Sequence, residues 1–172
     1  MQGLHFIYFV DPMCSWCYGF SPVVRSLRRR YRDVLAIRPV MGGLRPGTTE
    51  PMPEKARRTS QDAALDYLAA AHGAFYAEGR DVTSTEVLAD IAETQGFDRA
   101  AFLTALADEG LKQETWRDYA ISQRAGATGF PTLILGPNAD GTYALVTRGY
   151  QAAEPVMRGV DAWLAGVRAE SA

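Results

Sequence analysis

Apolar side chains fill both alternations of Leu4 to Val10, a short stretch rich in aromatic and β-branched residues, and such a run reads as a central strand covered on both faces. Beyond it the spacing changes. Val23, Val24, Leu27 and Tyr31 recur at three- and four-residue intervals, which predicts a helix running to about Arg32, with Pro22 bending or loosening its first turns. Leu35 to Met41 returns to a strand pattern, so the first forty residues read as a right-handed βαβ unit. Gly42-Gly43-Leu44-Arg45-Pro46-Gly47, followed by Pro51 and Pro53, then leaves the sheet as a loop.

From about Thr59 to Ala125 the pattern is helical throughout. Leu65, Leu68, His72, Phe75 and Tyr76 line one stripe. Thr83 with Glu86 has the spacing of a capping box before Val87, Leu88 and Ile91, and Gly96 closes that helix. Asp98 is placed to cap a third helix carrying Phe102, Leu103 and Leu106. A fourth, from about Lys112, carries Trp116, Tyr119 and Ala120. Stripes of this kind are ordinarily core, and His72 within one reads as a satisfied core residue. Thr132 to Leu135 and Tyr143 to Thr147 flank the turn residues Pro137 to Gly141 and predict a hairpin. Val156, Val160, Trp163, Leu164 and Val167 complete the chain as an amphipathic helix beginning near Pro155.

Composition narrows the class. The 172 residues are 47% hydrophobic and 22% charged, within the range of one soluble globular unit. A formal charge of -2 gives no electrostatic reason to expect nucleic acid or an anionic membrane as partner. The basic cluster Arg28-Arg29-Arg30 with Arg32 reads as the solvated end of a helix, where cations suit the dipole. No run approaches the length of a membrane span. With no export signal visible at the N-terminus, the expected compartment is the cytoplasm.

The chemistry is concentrated in Asp11-Pro12-Met13-Cys14-Ser15-Trp16-Cys17-Tyr18-Gly19-Phe20, which holds both cysteines of the protein. A helix N-terminus offers unpaired N–H groups and a partial positive charge, so a Cys-x-x-Cys delivered there by a strand is suited to redox work. The dipole alone predicts a Cys14 thiol ionising at about 7 to 8, below its ordinary value near 8.5. A structural zinc site would need two further ligands. The remaining donors of that kind are His5, at a strand start, and His72, inside a helical stripe, so no metal is expected.

A second signal is Thr128-Gly129-Phe130-Pro131-Thr132, a proline just before a strand, where a cis bond is tolerated. With the dithiol after the first strand and the order βαβ, helices, ββα, the chain resembles the thioredoxin fold. Asp11 to Gly19 together with Gly42-Gly43-Leu44 is similar to the DsbA-like family, nearest its cytoplasmic FrnE-like branch, over about Leu4 to Leu164. The resemblance implies an α/β thioredoxin fold (βαβ…ββα) as a single domain over 1–172, with a helical insertion at about 52–125. It implies Cys14 as nucleophile, Cys17 as resolving thiol, Pro131 as a cis-proline beside them, and Ser15, Trp16, Phe130 and Pro131 at the substrate. The section from Met52 to Asp62 looks short against such relatives.

The implied activity is that of a cofactor-free thiol:disulfide oxidoreductase acting on protein or glutathione-like disulfides. Two other readings fit the same fold: a glutathione-dependent isomerase or transferase of the kappa type, and a non-enzymatic adaptor. Cys17 argues against the first, since those enzymes lack a full dithiol. The intact pair and Pro131 argue against the second.

Overall fold

The apolar run near the N-terminus becomes β1, His5–Val10, buried at four of its six residues. In the computed structural model, which describes residues 3–42 and 61–170, β1 lies in the middle of a four-stranded sheet. Its partners are β2, Ala36–Met41, in parallel, and β3, Thr132–Gly136, antiparallel. β4, Ala144–Arg148, pairs with β3, giving the order β2-β1-β3-β4. Six helices complete the described residues: α1 (Ser15–Tyr31), α2 (Gln61–Tyr76), α3 (Thr85–Thr94), α4 (Arg99–Ala107), α5 (Glu109–Arg124) and α6 (Ala153–Glu170). This is the thioredoxin fold, with α2 to α5 inserted between its βαβ and ββα halves. The expected insertion began at about residue 52, and residues 43–60, with Gly43, Leu44 and the prolines of that loop, lie outside the described residues.

Two cores follow from the patterns. Phe6, Tyr8 and Val10 of β1 pack with Phe20, Val23, Val24 and Leu27 of α1, Leu133 and Leu135 of β3, and Val156, Val160 and Leu164 of α6. The insertion builds its own cluster from Tyr67, Ala71, Leu88, Ile91, Phe102 and Leu106, while Leu65 and Leu68 of α2 reach into the first. The insertion thereby packs on the half that carries the two cysteines instead of standing apart from it.

Several expectations need correcting. α1 runs unbroken through Pro22. Proline removes the donor that would reach the Tyr18 carbonyl, and the Ser21 hydroxyl takes its place, donating to Tyr18 O at 2.8 Å. The Thr83/Glu86 capping box does not form, because Asp81 Oδ1 accepts from both the Thr83 amide and hydroxyl, and Glu86 pairs with Arg99. Ser84 is the N-cap of α3 and makes no side-chain cap bond. Asp98 does cap α4, accepting from Ala101 N at 2.7 Å, and Gly96 closes α3 with φ +82°. α5 starts at Glu109, before Lys112, because Asp108 accepts from Leu111 N.

The largest departure is on α5. Trp116, read as core, is 51% exposed, while Thr115, Asp118 and Ser122 are buried. α5 lies against β2, an edge strand whose outward amides need acceptors. Asp118 Oδ2 accepts from Met41 N at 3.3 Å, so the sheet edge draws the polar face inward. The basic end of α1 is tied down as well: Arg28 pairs with Asp62 and Asp66 of α2, and Arg30 with Asp161 of α6.

Candidate functional site

The turn after β1 brings Cys14 to the start of α1. Cys14 N donates to Asp11 O at 3.1 Å, and Cys14 has extended backbone angles (φ −94°, ψ 110°) as the N-cap residue. Its side chain therefore occupies the position of a capping group. Sγ accepts from Cys17 N at 3.3 Å, and the thiol donates to the carbonyl of Phe130 at 3.4 Å. Cys14 is 6% exposed and Cys17 fully buried, both as free thiols.

The two sulfurs sit in opposite environments. The Cys14 thiol is lowered to about 7, chiefly by the hydrogen bond from the Cys17 side chain, assisted by the backbone amides of Cys17 and Trp16 and opposed by burial and by the nearby Asp11 charge. Burial pushes the Cys17 thiol far up, and its hydrogen bond to Cys14 adds to this. At neutral pH one sulfur is poised as thiolate and the other holds its proton, the division of labour that thiol–disulfide exchange requires.

Of the residues expected at the site, Phe130 contributes its carbonyl to Cys14. The Phe130–Pro131 peptide is cis, and the Pro131 carbonyl accepts from Gly149 N at 2.6 Å, which ties the segment to the end of β4. Ser15 and Trp16 lie on the surface. The Trp16 ring, 64% exposed, stands 6.2 Å from Tyr150, itself half exposed. These two rings flank the dithiol as an apolar surface.

Other residues at the site were given no role there by the sequence. Gly42 is one: a Cβ there would run into the ring of Phe130, so its bare backbone seats that ring. His72 and Tyr76, one turn apart on α2, reach over from the insertion. His72 Nε2 lies 3.0 Å from Asp11 O, and the Tyr76 hydroxyl donates to Met13 O at 2.7 Å. They hold the loop that carries Cys14. Tyr18 stacks on Tyr76 at 5.3 Å. Tyr8, 2% exposed, interacts with Cys17 and is raised well above its ordinary value, mainly by burial. In helical periodicity His72 and Tyr76 are apolar-stripe residues; only the fold brings them to the loop that carries Cys14. His5 is a strand-end residue bonded through Nδ1 to Gly3 O and through Nε2 to Tyr143. Among the described residues no group of three or more His, Cys, Asp or Glu converges as a metal site, and no helix is long and apolar enough to cross a membrane.

A family model of DSBA-like thioredoxin domains matches residues 54–147, a span that includes Phe130-Pro131 and begins after the dithiol. No curated protein matches the chain. Among solved structures, a provisionally assigned protein disulfide isomerase from Nitrosomonas europaea is 23% identical and superposes with a TM-score of 0.83, covering 96% of this chain and 99% of that one. The oxidoreductase NmDsbA1 from N. meningitidis, 17% identical, gives 0.70 over 99% and 87%. The cytosolic disulfide reductase DsbM from Pseudomonas aeruginosa, 21% identical, gives 0.63 over 96% and 98%.

Proposed function

The chain belongs to the family of DSBA-like thioredoxin domains, and from that premise we propose that it is a thiol:disulfide oxidoreductase working through Cys14 and Cys17. The observation that carries the reading is the paired asymmetry of the sulfurs: Cys14 capping the start of α1 with its thiol lowered to about 7, and Cys17 fully buried three residues on with its thiol pushed up. The Cys14 thiolate attacks a substrate disulfide, releasing one sulfur as thiolate and leaving a mixed disulfide. Cys17 then attacks Cys14 Sγ, closing the Cys14–Cys17 disulfide and releasing the second substrate thiolate. No cofactor takes part.

Ser15, Trp16, Phe130 and Pro131 form the substrate surface in this reading. Trp16 and Tyr150 offer apolar contact, and the backbone at Phe130 can pair with an extended peptide. The substrate is a disulfide-bearing protein or a glutathione-like disulfide. Residues 1–172 act as one domain. We place it in the cytoplasm, near the FrnE-like branch. The fold shared with a cytosolic disulfide reductase supports that placement, as does a cysteine content limited to the reactive pair.

Cys17→Ser tests the mechanism. Removing the resolving sulfur while keeping the attacking one should accumulate covalent adducts, with client proteins or glutathione, that dithiothreitol releases. Cys14→Ser should accumulate none. Adducts held through Cys17 in Cys14→Ser would reverse the two roles, and adducts in neither variant would remove the redox reading.

A further inference from the structure

The far half of α1 carries a basic stripe that neither the sheet nor the dithiol requires. Arg25, Arg28, Arg29 and Arg32 follow at i, i+3, i+4 and i+7, the spacing of one helix face. Arg32 keeps helical backbone angles as the C-cap, so the stripe continues through it. Like charges at these intervals repel one another. Of the four, only Arg28 is neutralised, by Asp62 and Asp66 of α2. Arg25, Arg29 and Arg32 are exposed and have no ion pair among the described residues. The helix dipole does not account for the stripe, because it favours cations only within the last turn, and Arg25 stands before the turn that holds Arg28, Arg29 and Arg30. Nor does the overall charge, which is -2; the positive charge is gathered on this face of an acidic protein.

The stripe borders a concavity. The end of α1, the turn into β2 and the start of α2 surround a pocket of about 720 Å3 lined by all four arginines, with Asp62 on the α2 side. Leu35 and Ile37, both buried, lie at its base. The volume falls within the roughly 300–1,000 Å3 of small-molecule sites. An anion there would be repelled by free carbonyls at the end of α1, yet Tyr31 O is already engaged, accepting from Val34 N at 2.9 Å and Leu35 N at 2.8 Å. Guanidinium groups pair bidentately with phosphate oxygens. A row of them along about 10 Å of helix, at about 1.5 Å per residue, suits a run of linked phosphates better than a single one. A nucleic-acid strand or an acidic peptide extending toward α2 would have to pass the carboxylates of Asp62 and Asp66, so the pocket favours a compact ligand.

We propose that this pocket binds a small molecule bearing two or more linked phosphate groups. Arg25, Arg29 and Arg32 hold the phosphates, and Asp62 and Asp66 fix Arg28 among them. The bound anion relieves the repulsion along the stripe. The site is separate from the dithiol: Ala36, which also lines it, pairs with His5 at the start of β1, whereas Cys14 follows the end of that strand. Along α1, Arg25 lies about 12 Å from Cys17 and Arg32 about 22 Å. The assignment therefore stands or falls independently of the thiol chemistry.

Titration calorimetry of the full chain with inorganic tripolyphosphate, ATP and inorganic phosphate tests it. Tripolyphosphate or ATP should bind at least tenfold more tightly than inorganic phosphate, and more weakly as salt is raised. Binding of either assigns the site, and the ratio of their affinities separates an inorganic chain from an organic phosphate. Arg25→Gln and Arg29→Gln should each weaken that binding about tenfold, the loss of one charge-assisted contact. Arg30→Gln removes the same charge from the side of α1 that faces α6, where Arg30 pairs with Asp161, and should leave the affinity unchanged. Since Arg29 has like-charged neighbours and no partner to lose, Arg29→Gln without ligand should melt no lower than the wild type, while tripolyphosphate should raise the wild-type Tm more than that of the variant. A lower ligand-free Tm would make Arg29 a structural residue and remove it from the site. Equal weakening in Arg30→Gln would reduce the effect to net charge and overturn the pocket. Affinities for tripolyphosphate and ATP no better than for inorganic phosphate would overturn it too, as would tighter binding of hexaglutamate or of a single-stranded DNA oligonucleotide.

Discussion

Gly42→Ala is the smallest change that should disturb the site from outside the dithiol. The Gly42 amide donates to Val10 O at 2.7 Å, which pins its backbone to the end of β1. An added methyl would meet Cε1, Cζ and Cε2 of Phe130, with Cε2 at 2.8 Å. Since the strand cannot retreat, the ring must. Overpacking of this kind costs about 1–3 kcal/mol, or a Tm lowered by about 2–12 °C for a domain of this size. Thermal unfolding of Gly42→Ala, Phe130→Ala and the double variant isolates the contact. Once the ring is gone, the alanine at 42 should cost almost nothing, giving a coupling energy of about 1–3 kcal/mol. The Phe130 carbonyl accepts from Cys14, so alkylation of Cys14 should change in the single variant as well. Additive costs, within about 0.5 kcal/mol, would show that the ring and the glycine do not share the space described.

Two further outcomes follow from particular bonds. The largest influence lowering Cys14 is the hydrogen bond from the Cys17 side chain; absorbance titration of Cys17→Ala should therefore place the Cys14 midpoint above the value of about 7 expected for the reduced wild type, with alkylation rate rising through the same pH range before it levels. An unchanged midpoint would mean the helix terminus alone sets it. On the insertion, Asp98→Ala removes a cap bond at 2.7 Å and should cost about 0.5–2 kcal/mol in denaturant unfolding. Ser84→Ala, which removes no cap bond, should cost far less, and equal costs would contradict the cap assignment.

The comparison of Asp98 with Thr83 shows where local sequence suffices. Asp98 caps its helix as its spacing suggests, accepting from Ala101 N; Thr83 does not, because Asp81 two residues earlier takes its hydroxyl first. Strand and helix periods placed the four described β-strands and the dithiol at the end of β1, since burial on one or two faces leaves a direct mark on residue order. The placement of Cys14 and Cys17 was legible for the same reason: a spacing of three residues sets both on the first turn of one helix.

What sequence could not give is everything that depends on contacts between distant segments. Trp116 turned outward and Asp118 inward because the amides at the edge of β2, seventy-seven residues away, needed an acceptor. Hydrophobicity cannot encode that demand. His72 and Tyr76 looked like members of an apolar stripe, and only the packing of α2 over the dithiol loop turned them to the carbonyls of Asp11 and Met13. Gly42 carries no mark of the ring it accommodates. The sequence by itself determined the strands, the order of the elements and the place of the Cys-x-x-Cys pair at a helix start, because these follow from period and local spacing. The tertiary structure alone decided which groups reach the loop that carries Cys14, because His72 and Tyr76 meet the carbonyls of Asp11 and Met13 only where α2 packs over it.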